Sequence, residues 1–320
     1  MEITEKDNQF STPILLLIFN RPELLKQVFK EIRKIKPLKL YVAADGPREN
    51  YPADQEKCRS ARKIIENIDW PCQVFKLYRD RNLNCKLAIT PAIDWFFKQE
   101  KEGIILEDDC VPNKSFFKFC ADLLEKYRDN EKIMHIAGTN LQANYWRGDG
   151  TYFFSQIPVI VGWATWQRAW KFYDINMKNW PLFLKQNKIA SISDNKKIRR
   201  FALKKLNHAY KNDLDEWDYQ WILTIWLQNG LAIIPNINLI TNIGYNLEAT
   251  HTKHLDQQAN LANNIEIKEI IHPSFILPDK EADIFTYKTH YLLSSRIIWH
   301  WRHKINNQLK YWHALFSKKQ

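Results

Sequence analysis

The sequence has 320 residues, 45% of them hydrophobic, and only 8 glycines, enough apolar material for a large α/β domain and too little glycine for collagen-like or low-complexity architectures. Its net charge of +11 suits nucleic acid, a membrane surface or an anionic substrate. Five cysteines without a CxxC pair argue against a disulfide framework or a zinc knuckle and suit a reducing cytosol.

The start, "MEITEKDNQFST", has no signal-peptide pattern, and no run of about 18 apolar residues predicts a membrane span. "TPILLLIF" (12–19) is a continuous apolar run, the kind that lies buried on both faces of a parallel sheet. In "NRPELLKQVFKEIRKI" a proline opens a helix whose Leu24, Leu25, Val28, Phe29 and Ile32 recur at helical spacing. "LKLYVAA" (38–44) predicts a second strand, 54–68 a helix, "QVFKLY" (73–78) a third strand and 85–101 a helix that Pro91 could kink. "GIILE" predicts a fourth strand, followed by the helix "NKSFFKFCADLLEKYRDN". Alternation of this length predicts a doubly wound, mostly parallel central sheet flanked by helices. Beyond residue 140 the rhythm changes. Residues 152–174 read as aromatic and loop-like, 196–212 as a basic helix, 217–230 as a buried helix and 231–235 as a short strand.

In open α/β sheets ligands sit beyond the carboxyl ends of the strands. The predicted strands end at Asn20-Arg21, at Asp45-Gly46 and at Glu107-Asp108-Asp109, so polar residues converge on one edge. Three consecutive acids repel one another and raise a pKa unless a cation sits among them. Such a strand end is either a solvated loop or part of a site for Mn²⁺ or Mg²⁺, whose hard oxygen ligands are few and whose remaining positions go to water and phosphate. No GxGxxG, GxxxxGK[ST] or GxSxG motif is present, which removes the dinucleotide fingerprint, the P-loop and the nucleophile elbow.

The segments "ILLLIFNRPELLKQVFKEI", "YVAADGPR", "NLNCKLAITPAIDWFF", "GIILEDDCVPNKSFFKFC", "VGWATWQRAWKFYD" and "NIGYNLEATHT" occur in this order. Together they resemble bacterial nucleotide-sugar glycosyltransferases of the GT-A fold and, more distantly, N-acetylglucosaminyltransferase I, in which an E-D-D after a strand is the metal motif. The resemblance covers roughly residues 12–255. It implies a GT-A domain over 1–255, with a nucleotide-binding part at about 12–140 and an acceptor part at about 141–255, and an extension over 256–320. It further implies that Asp109 ligates the metal, that Asp108 meets ribose or bridges through water beside Glu107, and that Asp45 reads the base with Asn20 and Arg21 in the same pocket. Lys86, at a helix start, would meet phosphate, and His251 would ligate the metal or touch phosphate. For the catalytic base, "DLDEWDYQW" offers Asp213, Asp215, Glu216 and Asp218. The resemblance favours Asp218, although Tyr219 stands where the family pattern has a second acid. Tryptophans 163, 166, 170, 217 and 221 bracket the region, and at least three of them are expected to be core.

These readings imply a metal-dependent transferase that moves a sugar from a UDP-sugar to a glycan or lipid-linked acceptor in surface polysaccharide synthesis. A nucleotidyl- or phosphotransferase with the same carboxylates is the chemical rival. A nucleic-acid-binding protein is disfavoured by the clustered acids and the lack of a recognisable binding motif. The last thirty residues carry six Lys/Arg and no acid. From Ser294 onward Ile297, Trp301, Ile305, Leu309, Trp312 and Phe316 recur at steps of three and four opposite the cations, which predicts a C-terminal amphipathic helix. Its face suits an anionic leaflet, a site on the catalytic domain or a homodimer partner. The expected location is cytoplasmic, peripheral on the inner face of the cytoplasmic membrane.

Overall fold

The computed structural model describes residues 10–213, 215–244 and 266–291. His251 and the sequence expected to form the terminal amphipathic helix lie outside them. Chain order begins with β1 (Ile14–Ile18), α1 (Pro22–Ile35), β2 (Lys39–Ala44), α2 (Pro52–Ile64), β3 (Gln73–Tyr78), α3 (Asn84–Phe97) and β4 (Glu102–Glu107). After a two-residue turn come β5 (Cys110–Pro112), α4 (Lys114–Lys126), β6 (Ile133–Ala137), β7 (Tyr152–Ser155), β8 (Trp163–Trp166) and α5 (Gln167–Trp170). Then follow α6 (Trp180–Lys185), α7 (Lys196–Tyr210), α8 (Asp218–Leu227), β9 (Leu231–Pro235), β10 (Ile240–Asn242) and α9 (Lys280–Thr286).

Eight strands form one sheet in the order β3-β2-β1-β4-β8-β6-β9-β7, and β10 pairs with β5 in a small second sheet. The expected Rossmann-like α/β architecture is present. β8 and β7 run antiparallel to their neighbours, while the four strands from β3 to β4 are parallel throughout. The apolar run of β1 is explained by its two buried faces. Ile14, Leu16 and Ile18 join Leu25, Val28, Phe29 and Ile32 of α1 on one side, and Leu15 and Leu17 join Ala92, Ile93 and Phe96 of α3 on the other. Side chains alternate across a strand, so an unbroken run is what a strand between two helix layers requires. Pro91 lies inside α3, which continues from Asn84 to Phe97.

The reading of 152–174 as loop-like is corrected. That stretch supplies β7, β8 and α5, and β8 is wedged between β4 and β6. Its strands are four residues long and fully buried, so they show no alternation to read. The sequence after 265 returns to the sheet: Asp279 N–H donates to Phe154 O at 2.8 Å, and Asp283 of α9 accepts from Ser155 Oγ and from Gln156 N–H at 3.1 Å. Among the described residues no helix is long and apolar enough to cross a membrane.

Candidate active site

Parallel register sets the site. Ile18 lies opposite Ala44 and Leu17 opposite Glu107, so the chain leaves β1, β2 and β4 at one edge. A cleft of about 480 Å³ opens there. Its walls include Arg21, Asp45, the Glu107–Asp109 triplet and, across from them, Asp215 to Tyr219.

Asp108 and Asp109 form the turn between β4 and β5, and the pairing of β5 with β10 holds that turn: Ile243 N–H donates to Asp109 O at 2.9 Å. The cation among the acids is Arg21. Its guanidinium bonds Asp108 with one amine and Asp109, at 2.7 Å, with the other, while Phe19 N–H donates to Asp108 Oδ2 at 3.1 Å. Burial pushes the carboxyls of Glu107 and Asp108 above the ordinary range; the Asp109 charge adds to this and Arg21 opposes it.

Asp45 is held from three directions, by Gly46 N–H at 2.9 Å, Leu83 N–H at 3.1 Å and the Asn82 amide at 2.8 Å. Burial raises its pKa and the bonds from Gly46 and Leu83 pull it back. Leu83 N–H also reaches Oδ2 at 3.2 Å, so both oxygens of Asp45 are engaged where it lines the cleft. Gly46 permits this arrangement, because a Cβ there would collide with the Arg81 backbone.

The remaining predicted residues are placed as follows. Asn20 is not on the cleft wall; its amide donates to Asp54 at 2.7 Å, the carboxylate that also takes Arg48 Nε at 2.6 Å. Lys86 likewise faces away, its amine on Asn212 Oδ1 at 2.8 Å. Asp213 pairs with His208 at 3.2 Å, outside the cleft lining. Asp215 accepts from Cys85 N–H at 2.8 Å and Lys86 N–H at 3.1 Å, which caps α3 from a loop 130 residues away in sequence.

Glu216 and Asp218 differ from every other acid in the site. Glu216 Oε2 and Asp218 Oδ1 are buried without a hydrogen-bond partner. Burial, and then the Glu216 charge, pushes Asp218 up to about 7. The loop carrying them rests on aromatics. Trp217 stacks on Trp163 at 5.7 Å, and Trp221 Nε1–H donates to His135 Nδ1 at 3.2 Å. His135 Nε2–H in turn donates to Val159 O at 3.0 Å, and burial holds this imidazole neutral, at about 3. All five bracketing tryptophans are buried, and of them Trp217 reaches the cleft wall.

Sequence reasoning missed Arg48, Arg79, Asn82, Asn242 and Gly244, which also line the cleft. The signal for Arg79 and Asn82 was available, since they follow β3 at the same edge. Gly244 shapes the acid turn, because a Cβ there would fall inside van der Waals contact of Asp109 Oδ2. Among the described residues no group of three or more His, Cys, Asp or Glu is disposed to hold a metal by itself. Asp109, in the cradle left by Gly244, does fit a divalent ion shared with a ligand's phosphate oxygens, since Mg²⁺-type sites take one or two carboxylates.

No protein-family model matches the sequence, and no curated protein matches it. Among solved structures, it is similar to a mannosyltransferase from Pyrobaculum calidifontis in complex with GDP-Man and Mn²⁺, at 8% identity over 50% of this chain and 46% of that one, with a TM-score of 0.33. The chain thus spans less than half the length of that transferase. It is also similar to HddC from Yersinia pseudotuberculosis, at 8% identity over 53% of this chain and 85% of that one, TM-score 0.31. A UDP-glucose pyrophosphorylase complexed with UDP-glucose matches at 12% identity over 51% of this chain and 78% of that one, TM-score 0.32. Likeness this distant carries no assignment of chemistry.

Proposed function

We propose that this protein is a glycosyltransferase that moves a sugar, with inversion, from a UDP-sugar to a glycan or lipid-linked acceptor in surface polysaccharide synthesis. One observation carries the reading: within a single cleft, an acid wall neutralised by Arg21 faces buried carboxylate oxygens that have no partner. The first suits a divalent cation that brings in an anionic donor, and the second suits a hydroxyl that must lose a proton.

In this reading Asp45 accepts the uracil imide N–H in exchange for part of its present bonding, a charge-assisted bond. Arg21 turns from its two aspartates toward the diphosphate, and Asp108 and Glu107 meet ribose and sugar hydroxyls. Asp109 would hold Mn²⁺ or Mg²⁺ together with the diphosphate, and the bound ion would supply Lewis-acid neutralisation of the leaving group. Asp218 takes the proton from the acceptor hydroxyl as that oxygen attacks the anomeric carbon and the C–O bond to the diphosphate breaks. A pKa near 7 is matched to that task, and Glu216 beside it sustains the raised value. The reading divides the chain into a donor part at about 12–140 and an acceptor part at about 141–255, with 294–320 holding the enzyme at the inner face of the cytoplasmic membrane or against a homodimer partner.

A panel of UDP-sugars incubated with Mn²⁺ tests the chemistry. Slow hydrolysis that yields UDP and free sugar is expected. Release of UMP and sugar 1-phosphate instead, by cleavage of the P–O–P bridge, would overturn glycosyl transfer in favour of a nucleotidyl- or phosphotransferase.

A further inference from the structure

Two amphipathic helices treat their charge in opposite ways. On α1, Lys26 pairs with Glu23 at 2.7 Å, Lys34 with Glu31 at 2.6 Å, and Arg33 with Asp69. α7 carries Lys196, Lys197, Arg199, Arg200, Lys204 and Lys205 with no acid, and none of the six forms an ion pair among the described residues. Its apolar face, Ile198, Ala202, Leu206 and Ala209, is buried. The charged face is what remains, and Lys196, Arg200 and Lys204 stand exposed along it at successive four-residue steps.

This arrangement works against the helix. Like charges four residues apart destabilise it. Four of the cations occupy its first five positions, at the positive end of the macrodipole, where no acid offsets them. Arg199 bonds Ser193 O at 2.9 Å, but no hydrogen bond or ion pair among the described residues engages the side chains of Lys196, Arg200 or Lys204, so the ridge carries a local electrostatic penalty.

The position of α7 indicates which anion. Phe201 of the same helix packs on Tyr287 and Tyr291, at 6.2 and 5.8 Å. The described chain stops at Tyr291, and the sequence that follows holds the other acid-free stretch, with its six cations. Six charges in each stretch exceed the net +11 of the whole chain, so the remainder is close to neutral. One turn further along α7, Lys205 lies over the ring of Tyr219, 5.3 Å from its centroid, and Tyr219 lines the cleft.

We propose that the exposed Lys196–Arg200–Lys204 ridge of α7 is a docking surface for an anionic lipid bilayer and sets the acceptor wall of the cleft beside that bilayer. The contact is electrostatic, because the apolar face of α7 is already used. A lipid surface fits better than nucleic acid, since Tyr291, which packs on Phe201 of α7, leads in sequence into cations interleaved with tryptophan, isoleucine and leucine, a composition suited to a headgroup layer. The proposal does not depend on the donor chemistry.

The test compares the full chain with its Lys196→Gln/Arg200→Gln/Lys204→Gln variant on vesicles of phosphatidylcholine, with and without phosphatidylglycerol. Each cation near an anionic surface contributes about fivefold to partitioning, so the triple variant should bind anionic vesicles on the order of a hundredfold more weakly. Its Tm should stay level or rise, because mutual repulsion is removed. Lys196→Arg/Lys204→Arg, which keeps the charges, should bind normally. Equal partitioning of the Gln variant and the unaltered protein overturns the proposal. So does binding that is indifferent to phosphatidylglycerol, loss of binding in the Arg variant, or ridge-dependent affinity for duplex or single-stranded nucleic acid that exceeds the affinity for vesicles.

Discussion

The two walls of the cleft are both acidic and have opposite electrostatic histories. On the side formed by β1, β2 and β4, the carboxylates of Asp45, Asp108 and Asp109 are each bonded, to backbone N–H groups, to an amide or to Arg21. On the side formed by the loop before α8, Glu216 Oε2 and Asp218 Oδ1 are buried and bonded to nothing. Buried polar atoms are rarely left so, because each costs roughly 1–3 kcal/mol. The first wall is pre-set for a cation. The second stores affinity for a proton. The difference separates binding from chemistry within one cavity, and substitutions on each wall should fail in different ways.

The largest effect is expected on the first wall. Asp109→Ala leaves Arg21 paired with Asp108 alone and removes the carboxylate proposed to share a divalent ion with phosphate. Transfer should be abolished and Mn²⁺-dependent UDP binding lost with the fold intact. Asp109→Asn should fail as well, since the amide keeps the shape without the charge. Calorimetric titration of UDP with and without Mn²⁺ reads this directly, and Mn²⁺-dependent affinity retained in Asp109→Ala would remove the assignment.

The walls also differed in how far the sequence revealed them. β1 and the Glu107–Asp109 turn were legible because the parallel strands are buried on both faces and read as unbroken apolar runs that stop at charge. The acceptor side was not. β8 is four residues of "WATW" whose pairing partners, β4 and β6, are set by tertiary packing. Individual roles were less legible still. Lys86 and Asp215 both carry the right charge near the right loop, yet the Lys86 amine turns to Asn212 and Asp215 caps α3. Side-chain direction over such distances is decided by contacts that spacing does not encode.

On the second wall, Asp218→Asn should lower kcat by about two to four orders of magnitude, the usual span for a general base, with donor affinity nearly unchanged. Because the Asp218 carboxyl is held at about 7, kcat/KM of the unaltered enzyme should rise with pH up to about 7 and then level off. Stability should run the other way. Folding favours the protonated form of a group whose pKa is raised, so its contribution is present at low pH and fades as pH climbs through about 7. Asp218→Asn should therefore raise Tm at pH 8 more than at pH 5. Normal turnover in this variant would pass the role to Glu216 or end the inverting model.

Gly244→Ala sharpens the comparison without touching an acid. The added methyl must displace the Asp109 carboxylate. Groups that orient a metal-binding side chain typically contribute 10–100-fold, so Mn²⁺-dependent UDP affinity should fall by about that factor. The Asp218 limb of the pH profile should stay where it was. A shift in that limb, with affinity unchanged, would mean that the two walls are not separable.

The smallest kinetic effect is expected at Asp215, two residues before Trp217 and the only acid of that loop with both oxygens engaged. Leu83, at the N-cap of α3, supplies no side-chain bond; Asn84 N–H goes to Asn82 Oδ1 at 3.1 Å, and the next two N–H groups depend on Asp215. Asp215→Ala removes a cap, a change that costs about 0.5–2 kcal/mol. In a protein of this size that corresponds to a Tm drop of about 2–4 °C per kcal/mol. The rate should change by only a small factor, because the proposed proton acceptor, Asp218, keeps its own support from the stacked Trp217 and from Trp221 on His135. Asp215→Asn should recover much of the stability, since the amide oxygen still accepts from Cys85 or Lys86, and its remaining deficit measures the charge–dipole part, about 0.3–1 kcal/mol. A drop in kcat as deep as that of Asp218→Asn, with Tm unchanged, would show that this carboxylate leaves the helix during turnover and takes the proton itself.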